Sequence, residues 1–173
     1  MEHVRRQQGF TLIELAVALT VLLILLAVGL PDFSTTNDKR RLQGAAEALQ
    51  QDLRFARTEA IKRNQSVTVA FDDAQWCWGM VLGSAGCDCG STDCVIDGVL
   101  RVRNSSDYTG IAISAITFSG DETTINPTHG TAGAGTVTFQ SPRGIQANVV
   151  LSGLGRVRIC SSTSNNKYGF ESC

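Results

Sequence analysis

The spacing of apolar positions changes twice along the chain. From Phe10 to Leu30 they are almost continuous, 21 residues with one charge, Glu14. At ~1.5 Å rise per residue, ~20 apolar residues cross the ~30 Å hydrocarbon core of a bilayer, so this run predicts a membrane-inserted helix. A buried core helix is the alternative, but one seldom stays apolar on every side for such a length. Beyond Pro31, which lacks an N–H and should kink or loosen the helix, the pattern opens out. Leu42, Ala46, Leu49, Leu53, Ala56 and Ala60 recur at steps of four and three, which predicts one face of an amphipathic helix. Arg41, Gln50, Arg54 and Arg57 fall mostly on its other sides, and Asn64 offers a left-handed stop.

From Ser66 the period becomes two. Ser66–Phe71, Trp76–Leu82, Val95–Val102, Ile111–Phe118, Thr136–Phe139, Asn148–Leu151 and Arg156–Ile159 read as strands, separated by Gly- and Ser-rich turns. The expected architecture is α+β, one long N-terminal helix followed by an antiparallel sheet with long loops. Four segments follow: a leader (1–9), an apolar helix (10–30), its amphipathic continuation (31–64) and a β domain (65–173).

Composition, 43% hydrophobic and 18% charged over 173 residues, is that of a folded chain. The net charge of −1 gives no global attraction to nucleic acid. Its distribution is uneven. Asp72–Glu122 holds eight acidic residues against Arg101 and Arg103, whereas Gln140–Cys173 holds Arg143, Arg156, Arg158 and Lys167 against Glu171. An anionic partner belongs at the C-terminal end.

The leader Met1–Gly9 is polar and carries Arg5 and Arg6, which predicts a cytoplasmic N-terminus and a single pass. Composition breaks before the apolar run, not after it as in an ordinary secretory signal. Gly9-Phe10-Thr11-Leu12-Ile13-Glu14 resembles the class III signal of type IV pilins and type II secretion pseudopilins. That resemblance implies cleavage between Gly9 and Phe10 by a prepilin peptidase and methylation of the new Phe10 amine. It also implies the type IV pilin fold, anchored in the cell inner membrane with its β domain in the periplasm before assembly into a pilus or pseudopilus with other pilins. A carboxylate in an apolar segment is costly without a partner. The family's partner for Glu14 is the Phe10 amine of a neighbouring subunit, which would set the register of assembly; a position at the headgroup level is the alternative.

Six cysteines in such a compartment point to disulfides. Cys160 with Cys173 would pin the tail, and Cys77 with Cys87 and Cys89 with Cys94 would use the rest. Cys87-x-Cys89 followed by Cys94 also permits a thiolate metal site, although no metal or cofactor is expected.

Thr138–Gly144 and Leu151–Arg158 resemble the C-terminal part of FimT/GspH-type minor pilins. Within them, Gly155-Arg156-Val157-Arg158 is the Gly-Arg-x-Arg element that the resemblance associates with DNA capture in natural transformation (competence). In an extended segment Arg156 and Arg158 project to one side, ~6–7 Å apart, where they suit the phosphates of double-stranded DNA. Gly155 would permit close backbone approach, and Arg143 and Lys167 would extend the patch. A solvated arginine pair is the bland alternative. The resemblance thus implies a minor pilin at a filament tip that binds DNA, or else a structural secretion pseudopilin or pilus-priming subunit that binds only its partner pilins. No enzyme is expected: once the leader is removed, His129 stands alone, and there is no phosphate loop, nucleophile elbow or His-Glu metal motif.

Overall fold

The computed structural model describes residues 10–161 and 170–173, and side chains outside residues 27–34. The leader, including Gly9, and Lys167 lie outside the described residues. The chain divides into two compact units, Met1–Thr36 and Asn37–Cys173.

One helix, α1 (Leu12–Arg63), begins in the first unit and ends in the second, and the proline position does not interrupt it. Thr11 caps its start: the Thr11 hydroxyl accepts from the Glu14 N–H at 3.3 Å, the Ser/Thr-x-x-Glu pattern of a helix N-terminus. Large apolar side chains from Phe10 to Leu26 are exposed, so the first unit leaves that surface uncovered. Among the described residues no helix is long and apolar enough to cross a membrane, and the described side chains of the apolar run stop at Leu26.

In the second unit α1 ends as the sequence predicts. Asn64 adopts φ +51°, its N–H reaches the Ile61 carbonyl at 3.3 Å, and the Gln65 N–H reaches Ala60 at 3.2 Å, a left-handed cap that satisfies two terminal carbonyls. Leu42, Ala46, Leu49, Leu53, Ala56 and Ala60 are all fully buried or nearly so.

The β region forms two four-stranded antiparallel sheets, where the pattern predicted one. The first runs β5 (Val102–Asn104), β2 (Cys77–Leu82), β1 (Val67–Asp72), β7 (Glu122–Ile125); the second runs β10 (Val157–Cys160), β9 (Gln146–Leu151), β8 (Gly135–Gln140), β6 (Ala112–Ile116). One core joins the helix face to both sheets through Val67, Val69, Trp78, Val137, Phe139, Val149 and Leu151. Burying each such side chain contributes about 1.5–3 kcal/mol, which fixes the sheet register.

The predicted Val95–Val102 strand is instead a small hairpin, β3 (Val95–Ile96) and β4 (Val99–Leu100), continuing into β5. Asp97 and Gly98 both have positive φ, +54° and +72°, as a two-residue hairpin turn requires. Arg63 holds that turn to the helix end. Its Nη1 donates to Asp97 Oδ1 at 2.7 Å, its Nη2 to Asp97 Oδ2, and its Nε to Glu59 Oε2 at 2.6 Å. Hydrogen bonding from Arg63 holds both carboxyls below their ordinary range and raises the guanidinium's own pKa.

All six cysteines are paired. Cys160–Cys173 matches the expected bridge. The other two pairings differ from expectation: Cys77 bonds Cys89 and Cys87 bonds Cys94, so the two loops interlace. Cys77, Cys89 and Cys94 form a buried cluster against β2, where a Cβ on Gly79 would come within 2.4 Å of Cys94 Sγ. The missing side chain at Gly79 leaves room for Cys94 and Cys89 to pack over β2. With these thiols in disulfides, the Cys87–Cys94 loop holds no thiolate site, and no metal-binding cluster occurs among the described residues.

Candidate nucleic-acid interface

The Gly-Arg-x-Arg element spans the turn from β9 into β10. Ser152 organises that turn: its N–H donates to the Arg156 carbonyl at 3.0 Å, its carbonyl accepts from Gly155 N–H at 2.8 Å, and its hydroxyl accepts from Arg156 N–H at 3.1 Å. Gly155 has φ +73° and is buried. A Cβ there would lie 2.1 Å from the Gly130 carbonyl oxygen and 3.1 Å from Arg57 Nε. The close approach that Gly155 permits is therefore internal, between two loops of the same chain.

Past the turn the strand alternates as the sequence predicts. Val157 is buried, while Arg156 and Arg158 on either side of it are exposed. Arg158 lies opposite Val150 in the β9–β10 ladder. Among the described residues neither arginine side chain makes a hydrogen bond or ion pair.

Arg143 does not join them. It occupies the Ser141–Ile145 turn at the other end of β9, six strand residues away, which is roughly 20 Å at ~3.3 Å per residue. Its Nη1 pairs with Asp38 Oδ2 at 3.0 Å.

Two residues that the sequence placed on the helix's polar sides do come to the site. A groove of about 590 Å³ is lined by Arg57, Val150, Ser152, Leu154, Arg156 and Arg158. A second cleft of about 300 Å³, sharing Arg57 and Arg156, is lined also by Arg54 and Thr58. Neither is lined by a carboxylate. The Arg57 side chain fits against two glycines at positive φ: a Cβ on Gly130 would lie 2.5 Å from Arg57 Nε, and one on Gly155 3.1 Å. That Nε is buried with no hydrogen-bond partner among the described residues. The i, i+3 spacing of Arg54 and Arg57 was the sequence signal for a shared face, but only the fold sets that face beside β10.

A long N-terminal helix packed on antiparallel sheets, with disulfide-bonded loops, defines the type IV pilin fold. The family model for the type II transport protein GspH matches residues 45–155, and that for the prokaryotic N-terminal methylation motif matches residues 4–30. The first covers more than half of the chain, and the protein belongs to the GspH family. Its fold is similar to that of the minor pseudopilin EpsH from the type 2 secretion system of Vibrio cholerae (TM-score 0.56, 15% identity, covering 72% of this chain and 99% of that one). It is similar also to the type IV minor pilin FimU of Pseudomonas aeruginosa (TM-score 0.52, 19% identity, covering 75% and 93%). No curated protein matches the chain.

Proposed function

We propose that this protein is a minor pilin that assembles at the tip of a type IV pilus and binds double-stranded DNA non-specifically for natural transformation. The observation that carries this reading is the placement of Arg156, just before β10, and Arg158, within it, both exposed, lining one groove and without a counter-ion among the described residues. Contacts of this kind to phosphates give salt-sensitive, sequence-independent binding. On the same reading a prepilin peptidase cuts between Gly9 and Phe10 and the Phe10 amine is methylated. Residues 10–30 then anchor the subunit in the inner membrane, with the N-terminus cytoplasmic and the β domain periplasmic. Glu14 pairs with a neighbour's Phe10 amine during assembly. Replacing both Arg156 and Arg158 with Gln in the full-length protein should abolish the gel shift of a DNA duplex; an unchanged shift removes them from the mechanism.

The match to the type II transport family favours a second reading, a structural pseudopilin that binds only partner pilins. Absence of any shift by the wild-type protein at low salt supports it.

A further inference from the structure

The Gly-Arg-x-Arg arginines form one wall of a groove whose other wall comes from the helix. Arg57 lines the groove together with Arg156 and Arg158, and Arg54 lines the adjoining cleft with Arg57 and Arg156. Four arginines thus line two adjoining clefts that share Arg57 and Arg156, with no carboxylate among the lining residues. Three arginines elsewhere in this unit are matched by carboxylates: Arg63 with Asp97 and Glu59, Arg103 with Asp52, Arg143 with Asp38. Arg54, Arg57, Arg156 and Arg158 have no side-chain hydrogen bond or ion pair among the described residues. Like charges gathered without a counter-charge destabilise a fold, and a buried donor without an acceptor adds to that cost. The buried, unpartnered Nε of Arg57 is such a donor.

We propose that Arg54 and Arg57 of α1 are DNA-binding residues, which with Arg156 and Arg158 make a single two-walled groove for the phosphate backbone of a DNA duplex. The proposal rests on the DNA-binding reading above and extends it from a strand to a groove. Arg57 is the fixed element: Gly130 and Gly155 close on its side chain, so little conformational freedom remains to be lost when an anion arrives. Arg54 is exposed at the rim. The remaining lining side chains, Val150, Ser152 and Leu154, are aliphatic or small. With no aromatic platform for stacking, the groove suits backbone contact in a duplex over capture of unpaired bases. This also assigns Gly155 a second effect, because the residue that opens the turn is the one that seats Arg57.

The test measures anisotropy of a short fluorescent duplex with the full-length protein in detergent, titrated across roughly 50–200 mM salt. Arg54→Gln and Arg57→Gln should each weaken binding severalfold and each reduce the slope of log affinity against log salt by ~0.9, the value of one phosphate contact. Arg54→Lys should restore the slope, which a merely structural role would not require. Because Arg57 is packed against two loops, its variant is accompanied by a melting curve. Arg54→Gln, at an exposed position, decides alone if Arg57→Gln unfolds the protein. An unchanged slope in Arg54→Gln, alongside a reduced slope in Arg156→Gln, overturns the groove and leaves the strand reading intact. No duplex binding by the wild type at low salt overturns both. If polyglutamate then binds in place of DNA, the groove belongs to an acidic protein partner and the proposal fails.

Discussion

The indole Nε1 of Trp78 donates a hydrogen bond to Asp52 Oδ2 at 2.9 Å, tying the buried middle of β2 to the helix. Trp78 is almost fully buried among Trp76, Tyr108 and Phe139, with ring centroids 5.7–6.2 Å apart. Arg103 Nε approaches the same carboxylate at 3.4 Å from a half-exposed position, where an ion pair contributes little.

Asp52→Ala should therefore cost about 1–3 kcal/mol, the penalty for leaving a buried N–H without an acceptor. Asp52→Asn, which keeps an oxygen in reach, should cost less. Chemical denaturation of the two variants checks the order; equal losses would place the stabilisation in packing and not in the hydrogen bond.

Gly155→Ala combines a left-handed backbone with a collision against Gly130. A residue held in that region costs of order 1–3 kcal/mol, and the 2.1 Å approach to a backbone oxygen cannot be relieved by a rotamer change. A lowered melting temperature is expected, together with weaker DNA binding as Arg57 loses its seat. Gly83, also at positive φ but with open space around it, provides the control: its Ala variant carries the backbone strain without the collision.

Acid should loosen the β3–β4 hairpin from the helix. Arg63 holds the Asp97 and Glu59 carboxyls below their ordinary range, so the unfolded chain takes up protons before the folded one as pH falls. Their contribution is complete above the ordinary carboxylate range and is lost as pH drops through the lowered folded values. Asp97→Asn should flatten the dependence of melting temperature on pH below ~4. The same fall in variant and wild type would assign acid sensitivity to other carboxyls.

Non-reducing peptide mapping should recover Cys77 linked to Cys89 and Cys87 linked to Cys94, with Cys160 linked to Cys173. Opening the last by Cys160→Ser should cost ~2–4 kcal/mol, because the bridge closes a separate loop at the chain's end. Recovery of Cys77 with Cys87 would instead indicate the simpler adjacent pattern.

The helix was legible because its signals are local. Leu42 through Ala60 keep one period, and Asn64 stops it within a single residue. β7 was missed because Glu122-Thr123-Thr124-Ile125 shows one apolar residue. Its buried Thr123 is satisfied by the Gly133 carbonyl at 2.9 Å, a partner that sequence does not reveal. Asp97-Gly98 carried a hairpin signal, but apolar residues on both sides merged it into one strand. At the candidate site, the alternation of Arg156, Val157 and Arg158 gave the exposed pair directly. Arg57 could not be found that way, since its position depends on Gly130 and Gly155 meeting across distant loops. Arg143 failed for the converse reason: its closeness in sequence to β9 put it at the strand's far end.

The crossed bridges have a mechanical consequence. Every peptide bond between Cys77 and Cys94 is spanned by at least one disulfide, so a single proteolytic nick there leaves the chain connected. The same covalent short-cuts keep most of that segment, ~60 Å if drawn straight at ~3.4 Å per residue, from paying out under tension. A subunit pulled lengthwise therefore transmits load through sulfur across this stretch, which contains the whole of β2.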